Sequence, residues 1–173
     1  MVLQQFARIK ILFLDVDGVL TDGSVHVTEQ GEQLRRFCVK DGYAIQLAIK
    51  RGFRVSVISG AKSQGVWARL HGLGVEDIYL GVSDKLPVMQ DLMERYGVAM
   101  EEVAFIGDDI PDLACMRQIG LALCPQDAVD EIKSIAHYVS PKRGGEGCVR
   151  DILEKILKLQ KKWDNGEENV RSV

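Results

Sequence analysis

Residues 9–22 read IKILFLDVDGVLTD, and this stretch decides the fold. Its first six residues form a continuous apolar, β-rich run, the pattern of a strand covered on both faces. Two carboxylates, Asp15 and Asp17, follow at once, with Gly18 able to turn the chain sharply away. At the carboxyl end of a parallel strand such groups lie where open α/β sheets place their ligands. Two acids two residues apart can face one pocket, and so crowded a pair needs a cation or a shared proton. The plainer alternative is a pair of turn or capping aspartates.

The rest of the chain repeats the strand pattern. Residues 53–58, 77–80, 103–106 and 121–123 read as buried strands, and 138–139 as a short sixth. Helical patterns alternate with them over 43–51, 63–71, 86–96, 112–119, 128–135 and 149–159. Pro87 is tolerated in a first turn, and Gly97 and Gly120 stop the helices before them. This alternation predicts an α/β fold, a Rossmann-like doubly wound parallel sheet. One segment breaks it: residues 24–28, a turn at 29–32 and residues 33–39 read as an inserted β-hairpin flap. Residues 1–160 form one domain. Residues 161–173 are polar and aperiodic, which predicts a frayed tail.

Composition agrees. The chain has 173 residues, 46% apolar and 27% charged, with 22 Lys plus Arg against 25 Asp plus Glu. No basic excess calls for nucleic acid or an anionic membrane. No apolar run approaches the ~20 residues needed to span a bilayer. The first residues do not read as a signal peptide, so a cytoplasmic protein is expected. Cys38, Cys115, Cys124 and Cys148 form no Cys-x-x-Cys pair and are expected to be reduced thiols. His26, His71 and His137 show no metal-ligand spacing.

Three further motifs stand at strand ends. Ser59-Gly60 closes residues 53–58, where a hydroxyl and backbone N–H groups can hold a phosphate, although a helix-capping serine reads the same. Lys85 opens a helix, where a cation opposes the macrodipole unless it serves an anion or the aspartates. Gly107-Asp108-Asp109-Ile110-Pro111-Asp112 sets three acids at one strand end. That is costly without a cation, and hard oxygen ligands select Mg²⁺.

In this order the motifs resemble those of the haloacid dehalogenase phosphatase superfamily over residues 9–160. The resemblance implies Asp15 as nucleophile and Asp17 as general acid and base. It implies Ser59, Gly60 and Lys85 around the phosphoryl oxygens. Mg²⁺ would be held by Asp15, the Asp17 carbonyl and Asp108, with Asp109 and Asp112 as supporting acids. The 41 residues between Asp17 and Ser59 and the 25 between Ser59 and Lys85 leave no room for a cap domain.

This capless layout, with the KDGYA segment at 40–44 and the glycine-rich loop at 144–147, is similar to that of the 3-deoxy-D-manno-octulosonate (KDO) 8-phosphate phosphatases. By position, Cys38, Val39, Lys40, Asp41, Gly42 and Arg69 then match substrate-contacting stretches. Lys62 stands in for an arginine that the family often carries one residue earlier. The loop reads GGEG where GGRG is common, a feature shared with enzymes of nine-carbon KDN 9-phosphate, the alternative substrate class. A non-catalytic assembly module of a sugar-acid cytidylyltransferase is a second alternative. The resemblance further implies a sugar acid phosphate as substrate and a homotetramer. The apolar hairpin residues Val25, Val27, Leu34, Phe37 and Val39 fit assembly, since a lone hairpin is marginal in water.

Overall fold

A computed structural model describes residues 2–163. In chain order its elements are α1 (Val2–Arg8), β1 (Ile11–Leu14), β2 (His26–Val27), β3 (Gln33–Leu34), α2 (Val39–Lys50), β4 (Arg54–Ser59), α3 (Gln64–Gly72) and β5 (Asp77–Leu80). There follow α4 (Lys85–Tyr96), β6 (Val103–Ile106), α5 (Leu113–Met116), β7 (Leu121–Cys124), α6 (Asp130–Ile135), β8 (Tyr138–Val139) and α7 (Cys148–Leu159).

Six strands form one parallel sheet in the order β5-β4-β1-β6-β7-β8. The chain winds outward from β1 first to β4 and β5, then crosses to β6, β7 and β8. The order therefore reverses around β1, and a crevice opens there beyond the strands' carboxyl ends. Leu14 pairs with Val57 on one side and Ile106 on the other. That register carries Asp15, Ser59 and Gly107 to the same edge.

Alternation along the strands divides the core into two layers. Leu12, Leu14, Ala104 and Ile106 pack with Ala44, Ile45, Leu70 and Ile152 of α2, α3 and α7. Ile11, Phe13, Val103 and Phe105 pack with Met89, Cys115 and Ile132 of α4, α5 and α6. Both faces of β1 are thus covered, which is why its whole sequence is apolar. Ser63 caps α3 through the Val66 N–H, Asp84 caps α4, and Gly97 at φ 60° ends α4. Gly97 is the stop that the sequence signalled.

Three expectations need correction, and one helix is new. The helix expected over 43–51 begins at Val39, so Cys38 is its N-cap and the second hairpin arm ends early. The hairpin pairs only two residues per arm, and one bridge between Thr21 and Phe37 ties it back to the domain. Residues 2–8, unassigned from the sequence, form a helix whose Phe6 packs edge-on against Tyr138 at 5.6 Å. Residues 161–163 are not frayed: Trp163 lies edge-on to Tyr43 at 6.5 Å and beneath the Arg150 guanidinium at 4.5 Å. Residues 164–173 of the expected tail lie outside the described residues. The largest insertion among the described residues is the hairpin, so no cap domain covers the crevice.

Candidate active site

A cavity of about 520 Å³ occupies the crevice, lined by Asp15, Asp17, Ser59, Gly60, Lys85, Asp108, Asp109 and Asp112 among others. Four strand ends supply these groups, and all eight residues singled out for catalysis, phosphate and metal converge there. Hollows elsewhere, such as that between Gly52 and Asp77 at the opposite end of the sheet, lack such convergence.

Lys85 is the electrostatic centre. Its Nζ donates to Asp15 Oδ1 at 2.7 Å and to Asp112 Oδ1 at 2.6 Å, with both carboxylates buried. Burial by itself would lower the ammonium's pKa, but the Asp15 and Asp112 charges together outweigh it and hold the pKa above its ordinary value. Asp112 also accepts the Asp108 N–H at 3.1 Å. Burial and the Asp15 charge push its carboxyl up, against the pull of Lys85.

Asp108 shows the strain of too many acids. Burial, then the charges of Asp15, Asp112 and Asp109, push it up to about 8. Its Oδ1 is buried without a hydrogen-bond donor among the described residues. Oxygens of Asp15, Asp108 and Asp112 lie within 4.8 Å of one another. An orphaned carboxylate oxygen among hard donors fits a divalent cation. Asp109 instead caps the following 3-10 turn through the Ile110 N–H at 2.7 Å and is exposed.

The loop after β1 is tightly shaped. Gly18 adopts φ +85°, and a Cβ there would enter the Asp108 carboxylate. Thr21 Oγ1 accepts the Gly18 N–H at 3.3 Å and the Gly23 N–H at 3.2 Å. Behind it lies the 144–147 loop, where Gly145 N–H donates to Val19 carbonyl at 3.0 Å. Ser59 Oγ accepts the Ala61 N–H at 3.2 Å, which turns the chain into an amide-lined corner beside the cavity.

The residues expected at the sugar behave differently. Cys38, Val39, Lys40, Asp41, Gly42, Lys62 and Arg69 do not line this cavity. Asp41 is buried and caps α7: its Oδ1 accepts the Arg150 N–H at 2.7 Å. Burial pushes it up to about 6, against the pull of the Arg150, Gly147 and Val149 N–H groups. Gly42 lets α2 approach Arg69, whose Nη2 lies 2.6 Å from where a Cβ would stand. Lys62 packs its stem over Gly81 and borders a neighbouring hollow of about 700 Å³, between residues 31–35 and 60–65.

Arg35 is the residue that sequence reasoning missed. From the returning hairpin arm its Nε reaches Asp17 Oδ1 at 2.7 Å and its Nη2 reaches Oδ2 at 3.2 Å. Arg36 beside it holds Asp22 at 3.0 Å and Glu146 at 3.8 Å. The adjacent Arg35-Arg36 pair was the available signal, two cations on the arm that returns toward the acidic 15–22 loop.

A buried lysine shared by two carboxylates, a serine corner and an acid cluster at these strand ends fit a haloacid dehalogenase-like hydrolase. A family model with that description matches residues 70–152. Within that class the chain belongs to the family of 3-deoxy-D-manno-octulosonate 8-phosphate phosphatases. It is 38% identical to the enzyme of that name from Escherichia coli (strain K12) over 166 residues, 96% of this chain and 88% of the relative. The crystal structure of the Yersinia pestis enzyme matches with a TM-score of 0.91 at 39% identity, covering 93% of this chain and 87% of that one. The Moraxella catarrhalis enzyme, solved with magnesium, phosphate and KDO, matches with a TM-score of 0.89 at 33% identity over 92% of each chain. The family read from the motifs therefore holds. Among the described residues, no helix is long and apolar enough to cross a membrane.

Proposed function

We propose that this protein hydrolyses KDO 8-phosphate to KDO and inorganic phosphate through an aspartyl-phosphate on Asp15. The observation that carries the reading is the Asp15–Lys85–Asp112 chain beside the orphaned Asp108 oxygen. An Asp15 oxygen attacks phosphorus while the ester oxygen leaves, taking a proton from Asp17. Asp17 then accepts a proton from the water that attacks the aspartyl-phosphate, which frees phosphate and restores Asp15. Ser59, the amide at Gly60, and Lys85 hold the phosphoryl oxygens. Asp15, Asp108 and the Asp17 carbonyl would hold Mg²⁺, which supplies charge neutralisation to phosphoryl transfer. Asp112 sets the position of Lys85, and Asp109 orders the turn that carries Asp112.

Lys62 faces the hollow next to the phosphate corner, which supports it as partner of the sugar carboxylate. Glu146, whose loop suggested a nine-carbon substrate, stands 3.8 Å from Arg36; the likeness to KDO 8-phosphate phosphatases supports the eight-carbon ester over it. The intact site disfavours a non-catalytic assembly module. Cys38, Val39 and Lys40 follow the hairpin in the chain, and Val27, Leu34 and Val39 are exposed. Those exposed apolar residues support a homotetramer, with residues 38–40 meeting a neighbouring subunit. Light scattering at micromolar concentration checks the tetramer, and a fully active monomer contradicts it. The chemistry is tested with Asp15→Asn, expected to retain the fold and lose turnover; turnover at the parent rate would refute it.

A further inference from the structure

The hairpin is more than a docking element. Its strands are short and exposed, yet Arg35 drives a guanidinium inward until only 5% of the side chain remains accessible. Burying that charge is costly unless it meets a carboxylate in good geometry. Here it meets both oxygens of Asp17 in a fork, at 2.7 Å and 3.2 Å. Beyond that fork it makes one long contact, to the Gln33 carbonyl at 3.4 Å. Asp17 has little else to hold it: its side chain is 33% accessible, and Thr21 Oγ1 reaches Oδ1 only at 3.4 Å. A two-point grip fixes the plane of a carboxylate, which a single weak contact does not. Arg36, the next residue, faces Asp22 and Glu146. Docking the flap and gripping Asp17 are thus divided between neighbouring arginines.

We propose that Arg35 is a positioning residue for Asp17, so that the flap carries part of the catalytic apparatus in place of a cap domain. The proposal rests on Asp17 as the proton carrier of the reaction. A lost fork leaves the carboxylate free to rotate away from the ester oxygen, and a displacement of about 1 Å costs about a hundredfold. Arg35 also borders the hollow that Lys62 lines; a residue that acts through Asp17 lowers kcat, and one that contacts the sugar raises KM.

The test uses the Mg²⁺-saturated enzyme, with KDO 8-phosphate and p-nitrophenyl phosphate as substrates. Arg35→Met is expected to lower kcat at least tenfold on KDO 8-phosphate with KM changed less than threefold. Arg35→Lys, which keeps the charge without the fork, recovers part of that loss and serves if Arg35→Met fails to fold. Arg36→Ala keeps kcat within threefold. In an Asp17→Asn background, Arg35→Met or Arg35→Lys should cost no further activity on either substrate, since a group acting through Asp17 has nothing left to position. A further tenfold loss there would overturn the proposal. So would a raised KM for KDO 8-phosphate alone, which marks a sugar contact, or an equal loss in Arg36→Ala, which marks docking. Parent-level kcat in Asp17→Asn would instead remove the role of Asp17 itself.

Discussion

Gly144→Ala isolates the packing that shapes the nucleophile loop. Gly144 has no positive φ, so alanine fits its backbone and only the space around it matters. A Cβ there would stand 1.9 Å from the Gly18 carbonyl oxygen and 2.9 Å from that of Thr21, where ordinary contact begins at 3.4 Å. Both obstacles are backbone and cannot rotate aside. The 144–147 loop and the 18–22 loop must part by about 1.5 Å, an overpacking that costs about 1–3 kcal/mol. Residues 18–22 directly follow Asp15 and Asp17, and a shift near 1 Å at reacting groups costs about a hundredfold in rate. We expect a lowered urea midpoint and a kcat reduced by about 10²-fold. Gly72→Ala is the control: nothing lies within 4 Å of its Cβ and it sits in α3. It should hold kcat and gain up to about 1 kcal/mol. Parent-like kcat and midpoint in Gly144→Ala would refute the reasoning.

Lys85→Met leaves Asp15 and Asp112 as buried acids without their shared cation, which should cost the metal-free protein about 3–5 kcal/mol; Mg²⁺ should return part of it, and an unchanged midpoint in EDTA contradicts this. Asp41 has a folded-state pKa near 6 against an ordinary 3.8, so the folded protein binds its proton more tightly than the unfolded chain. Its contribution is fully present below about pH 4 and lost as pH rises through 6, about 3 kcal/mol at most. Asp41→Asn should therefore reduce the stability difference between pH 4.5 and 7 seen in urea titrations, and an unreduced difference rules out Asp41 as the source.

What the sequence disclosed was local. Each acid or serine directly followed a strand whose apolar run marked its place, and a parallel sheet brings consecutive strand ends together without further information. The Arg35–Asp17 grip spans 18 residues between two loops, and no period or cap signals it. Asp41 sits in a segment read as substrate-contacting, yet its partner is the Arg150 N–H, 109 residues away at the start of α7. Trp163 looked like part of a polar tail because its partners, Tyr43 and Arg150, are distant in sequence. Lys85 was read as a phosphoryl contact from its place at a helix start; the structure sets it between the Asp15 and Asp112 carboxylates, partners that the sequence did not name.

Hydrolysis of KDO 8-phosphate at this site depends on both the sugar and a divalent cation. Release of inorganic phosphate should therefore be followed with KDO 8-phosphate and KDN 9-phosphate side by side, each with Mg²⁺ and with excess EDTA. We expect kcat/KM for KDO 8-phosphate to exceed that for KDN 9-phosphate by at least tenfold, and turnover of both to vanish in EDTA. A preference for the nine-carbon ester, or full activity in EDTA, would contradict it.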